Sequence, residues 1–281
     1  MKKLSKIRLA LAAGVALLLM HSTLMAQSMW LEMPGKNSFA LEMSQAQFGG
    51  INAYGFNRNA WVFTPSLRME LLEGQFIKFE LPIAYGSMNY ASPADPFDYS
   101  ETALGNPYIG FEIRPKNSGF SFDLGARIPI AKDDKDFALS SGEHVALDRF
   151  WIFLPDLTLI DGLMNYKIQT KEGIILRFRF GPELAINSAG GGKTETELFL
   201  RYGAMLGYQN STISILAGPS GTYFATAEDC DFSECLLEQF DVAFTLSVKR
   251  VRPGIHFKLP IDEEFAAKSV IGAHLAFALA E

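Results

Sequence analysis

Cysteine and histidine are scarce in this 281-residue chain, at two and four residues. Past Ala26 there is no apolar run near the roughly 20 residues a membrane-spanning helix needs. These shortages exclude several classes of function. Cys230 and Cys235, in "AEDCDFSEC", have no histidine close in sequence and cannot complete a zinc site. Asp229, Asp231 and Glu234 lack the glycine-centred loop of a calcium site, so neither metal nor cofactor is expected. A net charge of −6, a pI near 5.4 and the lack of a basic patch argue against nucleic acid. "SAGGGKTET", residues 188–196, lacks the first glycine of a phosphate-binding loop and falls between strands, so it reads as a flexible connection.

What is present begins at the N-terminus. "MKKLSKIR" is a basic stretch, "LALAAGVALLLM" an apolar one of signal-peptide length, and Ala26 the small residue before a cut. Residues 1–26 therefore read as a signal peptide and residues 27–281 as the mature domain. No cysteine follows the apolar stretch, which leaves a lipoprotein anchor unindicated. Export to an oxidising compartment makes a Cys230–Cys235 disulfide the expected state of the pair.

From residue 38 onward the apolar residues recur with period two, the signature of strands with one apolar face. "AWVFTPSLRMELL" sets Trp61, Phe63, Leu67, Met69 and Leu71 against Thr64, Ser66, Arg68 and Glu70. "FIKFELPIAYG" sets Ile77, Phe79 and Leu81 against Lys78 and Glu80. The same rule predicts twelve strands over 38–48, 58–71, 75–89, 103–114, 119–131, 150–168, 173–187, 196–208, 211–225, 238–249, 253–260 and 267–280. The run at 150–168 is the least regular, being apolar on both faces and interrupted by Pro155 and Gly162.

Connection lengths alternate. Turns such as "LEGQ", "PKNSG", "TKEG", "QN" and "RVRP" are short, whereas residues 49–57, 90–102, 132–149, 188–195, 226–237 and 261–266 form long loops. Short and long connections on opposite ends of a meander are the pattern of an up-and-down antiparallel β-barrel of the outer membrane, all-β and transmembrane. A Greek-key sandwich would not repeat it so regularly. The long loops carry most of the acids, among them Asp95, Asp133, Asp134, Asp136, Asp148, Glu228 and Asp262, and are expected to form an acidic rim that attracts cations.

If the large apolar stripe faces lipid, the other stripe lines the lumen. That assigns Arg68, Glu70, Lys78, Glu80, Glu112, Asp123, Arg127, Arg177, Arg179, Glu183, Arg201 and Asp241 to the interior, with Lys249, Lys268 and His274 beside them. Both signs recur on successive strands, which predicts ion pairs bracing a narrow bore. Twelve strands lie between barrels filled by side chains and those holding an aqueous channel. Arg127, Arg177 and Arg179 are the candidates for meeting an anionic solute. An enzyme is the rival class: "SSGEHVALD" places Ser140, Ser141, Glu143, His144 and Asp148 in one loop, without the sharp turn that presents a nucleophile.

"ELPIAYGSMNY", "ETALGNPYIGFEIRP" and "GFSFDLGARIPIAKDD" together resemble the outer-membrane barrel family named for the MetA pathway of phenol degradation, with its transporter relatives. The matching residues are Leu81 and Pro82, then Leu104, Gly105, Asn106 and Pro107, then Ile128, Pro129 and Ile130, and Asn106 stands where an aspartate is usual. They cover about a quarter of the chain, and the family offers no catalytic residues. The resemblance implies passive passage of small solutes, apolar or aromatic ones among them. The expected protein is thus a non-enzymatic monomer of the bacterial outer membrane, partnered by lipid, the barrel assembly machinery and a small-molecule solute. The alternative is a closed barrel that binds a surface partner through its acidic loops. The final strand is expected to end without the usual terminal aromatic residue, since Phe277 stands four residues short.

Overall fold

The computed structural model describes residues 31, 33–48, 56–90, 97–116, 118–188, 195–226, 235–261 and 266–279. The expected signal peptide, Cys230 and the acidic loop residues Asp95, Glu228, Asp229, Asp231, Glu234 and Asp262 lie outside the described residues.

Strands β1 (Ser38–Phe48) and β2 (Phe56–Leu72) form the first hairpin. The third stave of the barrel is split into β3 (Gln75–Glu80) and β4 (Ile83–Tyr90), both paired to β2. The fourth is split into β5 (Phe97–Leu104) and β6 (Tyr108–Ile113). The remaining staves are β7 (Phe120–Arg127), β8 (Leu157–Gln169), β9 (Ile174–Asn187), β10 (Glu195–Gln209), β11 (Ile213–Phe224), β12 (Leu236–Leu246), β13 (Val251–Pro260) and β14 (Ala267–Ala278). All neighbours are antiparallel, and β1 pairs with both β2 and β14. The sheet therefore closes on itself through β1 as a twelve-stave barrel, in which β5 is paired on one side only, to β4.

Closure follows from the period-two pattern. Leu124, Ile160, Phe178, Phe180 and Ile215 remain exposed on the outside, while Glu112, Asp123, Glu183 and Lys78 are fully buried inside. This inversion of the usual rule holds only where the outer surface meets hydrocarbon. Two wall glycines register against each other beneath an inner aromatic: Gly110 pairs with Gly125, and the Tyr108 ring lies over both, where a β-carbon would collide with it.

Both split staves break at proline, which has no N–H to give the ladder. The breaks adjoin. Leu81 and Pro82, then Gly105, Asn106 and Pro107, then Ile128 to Ile130 lie side by side, tied by Gly105 N–H to Pro82 O (2.9 Å) and Ile128 N–H to Pro107 O (3.0 Å). The three parts of the family-like motif thus occupy one patch of wall.

Two expectations need correction. Residues 132–149 are not an open loop, and residues 150–156 are not strand. A 3-10 turn at Asp133–Lys135 leads into helix α1 (Asp136–Val145), and a second 3-10 segment, Leu147–Phe153, follows before β8 starts at Leu157. Ala138, Leu139, Val145, Leu147, Trp151, Ile152 and Phe153 are buried against inward residues of the barrel's long-loop end, including Ala60, Val62, Ala103, Leu159 and Phe199. This plug explains why 150–168 was apolar on both faces: its first residues lie inside the lumen. In addition, β5 starts at Phe97, within the expected loop 90–102.

At the short-turn end the chain preceding β1 enters the barrel. Leu31 and Met33 are buried against Ala40, Ile175, Met205, Leu216, Ala243 and Ala276. The lumen is therefore a charged belt between two apolar collars.

Candidate functional site

The belt begins on one wall with a ladder of alternating sign. The Arg68 guanidinium donates to Glu112 (Nε to Oε2, 2.8 Å), and Arg114 donates to its other oxygen at 2.8 Å. Lys78 Nζ bridges Glu112 Oε2 (3.0 Å) and Asp123 Oδ1 (3.1 Å). Asn165 donates to Asp123 Oδ2 at 3.2 Å and accepts from Arg179 Nε at 2.8 Å. These residues come from consecutive staves, β2, β3, β6, β7, β8 and β9, each at an inward position of its strand. Arg68, Lys78, Arg114, Glu112 and Asp123 each meet an opposite charge, as burial in a low dielectric demands.

A second set joins the wall to the plug. Asp148 and Arg149 lie in the 3-10 segment, both buried. The Asp148 carboxylate accepts from Lys258 Nζ on β13 at 2.7 Å and from Arg201 Nη2 on β10 at 3.4 Å. The Arg149 guanidinium meets Glu42 on β1 at 3.2 Å and Glu80 on β3 at 3.7 Å. Arg127 also holds Glu80, at 2.8 Å, and Arg201 also holds Glu183, at 3.2 Å. Burial opposes ionisation of Asp148, but the Lys258 ammonium and the Arg149 and Arg201 guanidiniums outweigh it and hold the carboxyl well below the usual carboxylate range. Burial likewise opposes charge on Arg149, and Glu42, Asp148 and Glu80 overcome it, raising its pKa.

Asn106 secures the plug's exit. Its backbone N–H donates to Ile152 O at 2.7 Å and its side-chain amide to Leu154 O at 2.8 Å. Its Oδ1 accepts from the N–H groups of Ile130 and Ala131, each at 3.0 Å. A β-carbon on the neighbouring Gly105 would press on Ile152 O (2.7 Å) and the Phe153 ring (2.8 Å), so glycine lets plug and wall meet backbone to side chain. The plug then leaves for β8 through Asp156, whose φ of +56° is left-handed.

Not every polar group of the belt is matched. Asp161 Oδ2, Glu183 Oε2, Thr222 Oγ1 and Gln239 Oε1 are buried with no protein partner among the described residues. Such groups call for water or a solute, because an unmet buried acceptor is costly. Asp241 is engaged by Ser220 at 2.5 Å and Gln239 at 2.7 Å. His256 bonds Ser44 at 2.9 Å, and His274 bonds Thr245 at 3.0 Å.

Of the residues assigned to the interior from sequence, Arg68, Lys78, Glu80, Glu112, Asp123, Arg127, Arg179, Glu183, Arg201, Asp241 and His274 lie buried inside. Arg177 is half-buried beside Gln209 (3.4 Å), and Glu70 sits at the short-turn rim against Lys36 (2.9 Å). Lys249 and Lys268 are exposed: the first occupies a turn at φ +56°, and the second lies at the bulge between β1 and β14, directly after the buried Ala267. Arg127, Arg177 and Arg179 do not converge, since Arg127 is held by Glu80 and Arg177 lies lower, near Gln209. Asp148, placed on the acidic rim from sequence, points into the lumen. Glu42, Arg149, His256 and Lys258 were missed, although period two in "FALEM" and "GIHFKL" puts Glu42, His256 and Lys258 on the inner face. Cys235 is disulfide-bonded, and Cys230, its expected partner, lies outside the described residues.

The serine–histidine set does not assemble into a nucleophile and base. The Ser140 and Ser141 hydroxyls accept from Arg58 at 3.5 and 3.3 Å, the His144 ring lies tilted against Phe48 with centroids 6.0 Å apart, and Asp148 is engaged with Lys258.

Comparison with solved structures follows from this geometry. An outer membrane channel from Pseudomonas putida F1 matches 91% of this chain and 100% of its own, with a TM-score of 0.58 and 12% identity. The chain has the fold of an outer-membrane β-barrel. The translocator domain of the autotransporter NalP from Neisseria meningitidis matches 89% of this chain and 91% of its own at a TM-score of 0.53 and 9% identity. LpxR from Salmonella typhimurium matches 86% and 100%, at 0.51 and 12%. No family model and no curated protein matches the chain. At these identities the likeness is one of architecture; the closed barrel with its apolar exterior is that of a bacterial outer-membrane protein.

Proposed function

We propose that the protein is a plugged outer-membrane channel that passes small solutes passively when the segment Asp133–Phe153 leaves the lumen. The observation that carries this reading is the nature of the closure at the long-loop end. The strand ring closes through β1 with no contribution from the plug, although β5 has one unpaired edge, and the space it encloses admits a helix and a 3-10 segment side by side with the charged wall. A barrel serving only as a scaffold could fill so wide a bore with wall side chains, as smaller barrels do. Here the long-loop end of the bore is filled by one stretch of chain, held by an apolar face packed on the wall, by ion pairs and by a few backbone bonds.

The chemistry along the path bears on the solute. Small apolar or aromatic solutes, which the family resemblance implies, would partition into the two collars, around Trp151 and around Met205. Polar solutes would exchange with the water that the unmet acceptors of Asp161, Glu183, Thr222 and Gln239 require. Near-balanced charge in the belt favours small size over a single sign of charge as the main selection.

Liposome swelling tests the reading. Proteoliposomes carrying a variant with residues 133–153 replaced by a Gly/Ser linker are expected to swell in small sugars and amino acids, and wild-type vesicles to swell more slowly. No swelling with either protein, both shown to be folded by heat-modifiable gel migration, would overturn it.

A further inference from the structure

The latch between plug and wall has an asymmetry that bracing does not require. On the Arg68–Glu112–Lys78–Asp123 ladder each link joins one wall strand to another, cation to acid. Around the plug the wall groups are sorted instead by which plug residue they meet. Two cations, Lys258 on β13 and Arg201 on β10, converge on Asp148, and two carboxylates, Glu42 on β1 and Glu80 on β3, converge on Arg149. All four wall groups are at most 5% exposed, and all belong to strands, so they stay in place when the plug leaves. Asp148 and Arg149 are adjacent, so the wall holds one carboxylate and one guanidinium at a fixed short separation.

We infer that Lys258, Arg201, Glu42 and Glu80 form the channel's solute site, that Asp148 and Arg149 occupy it as an internal stand-in, and that its ligand class is a small zwitterion. Such a solute carries a carboxylate together with a guanidinium or ammonium, as a free basic amino acid or a short peptide does. The inference rests on the channel reading for its physiological sense, although binding can be measured without transport. Recognition would come from charge-assisted hydrogen bonds in a water-poor belt: a carboxylate shared by an ammonium and a guanidinium, and a cation shared by two carboxylates. A ligand with only one of the two charges would replace only one of the plug's two ionic contacts and gain little. Since the plug holds the site, apparent affinity in the wild type is reduced by the fraction of molecules in which the plug is out.

Calorimetric titration of the detergent-purified barrel with L-arginine tests this. The Asp148→Ala/Arg149→Ala variant is expected to bind L-arginine about tenfold or more tighter than wild type, as release from a competing internal ligand predicts. Agmatine, which lacks the carboxylate, and propionate, which lacks the cation, are expected to gain no comparable affinity. Lys258→Met or Glu42→Gln in the same background should abolish the gain. Should the double variant fail to assemble, hydrogen exchange on the wild-type protein gives the answer: L-arginine should speed exchange of the amides at 147–153, and agmatine or propionate at equal concentration should not. Equal L-arginine affinity in variant and wild type, equal binding of agmatine and L-arginine, or unchanged exchange with all three would overturn the proposal. Tight L-arginine binding in a plug-replaced barrel that conducts nothing would support the site and overturn the channel reading instead.

Discussion

Lys258 makes the shortest contact of the latch, 2.7 Å to Asp148, and both groups are buried. Removing one member of a buried pair typically costs about 3–5 kcal/mol, because the other charge stays out of water. Here Arg201 and Arg149 still neighbour Asp148, so Lys258→Met is expected near the lower end of that range. Amides of residues 147–153 should then exchange about a hundredfold faster, at 1.4 kcal/mol per tenfold. Unchanged exchange would remove Lys258 from the latch. The pH dependence has a definite sign. A carboxyl with a depressed folded pKa contributes fully above its unfolded value of about 3.9, and that contribution is lost only as pH falls through the lower folded value. The difference in plug exchange between wild type and Asp148→Asn should therefore stay constant from about pH 8 down to about pH 5. A difference shrinking within that window would show that the Asp148 carboxyl is not held low. Sequence reading at this scale was uneven. Strict alternation identified Arg68, Glu112 and Lys78 as inward residues, whereas Asp148 and Arg149 lie outside any strand and have no period to read.

At the scale of elements, the family-like motif and the plug explain one another. Leu81–Pro82 and Leu104–Pro107 break two adjacent staves, Ile128–Ile130 follows the end of the next, and Asn106 in the middle bonds both Ile130 and the plug's exit. Asn106→Asp keeps the acceptor for Ile130 and Ala131 but turns the donor to Leu154 O into a second acceptor, setting carboxylate oxygen against carbonyl oxygen. That variant is expected to loosen the plug while leaving the barrel assembled, read as faster exchange at 152–157 with unchanged heat-modifiable migration. Unchanged exchange there would show that the Asn106 amide does not secure the exit. Ten of the twelve expected strands match within a few residues; the exceptions are the fourth stave, which starts at Phe97 rather than 103, and β8, which starts at Leu157 rather than 150. The plug was not legible as such because period two dominated its surroundings. Its own signal is the run Ala138, Leu139, Val145, which follows helical spacing and buries one face of α1.

For the whole molecule, the sequence's alternation of short and long connections foretold the closed meander, and the balance of charge foretold a braced interior. The two collars were not foretold. They come from segments whose burial depends on the barrel already existing: Leu31 and Met33 at one end, Trp151, Ile152 and Phe153 at the other. The fold belongs to the outer membrane, and the account's central claim is that its lumen is a channel closed at the long-loop end by residues 133–153. Single-channel recording in planar bilayers tests this most directly. The wild type should show rare, brief openings, and the barrel with residues 133–153 replaced by a Gly/Ser linker should show long-lived openings of larger unit conductance. Identical traces from the two proteins, or silence from both, would contradict it.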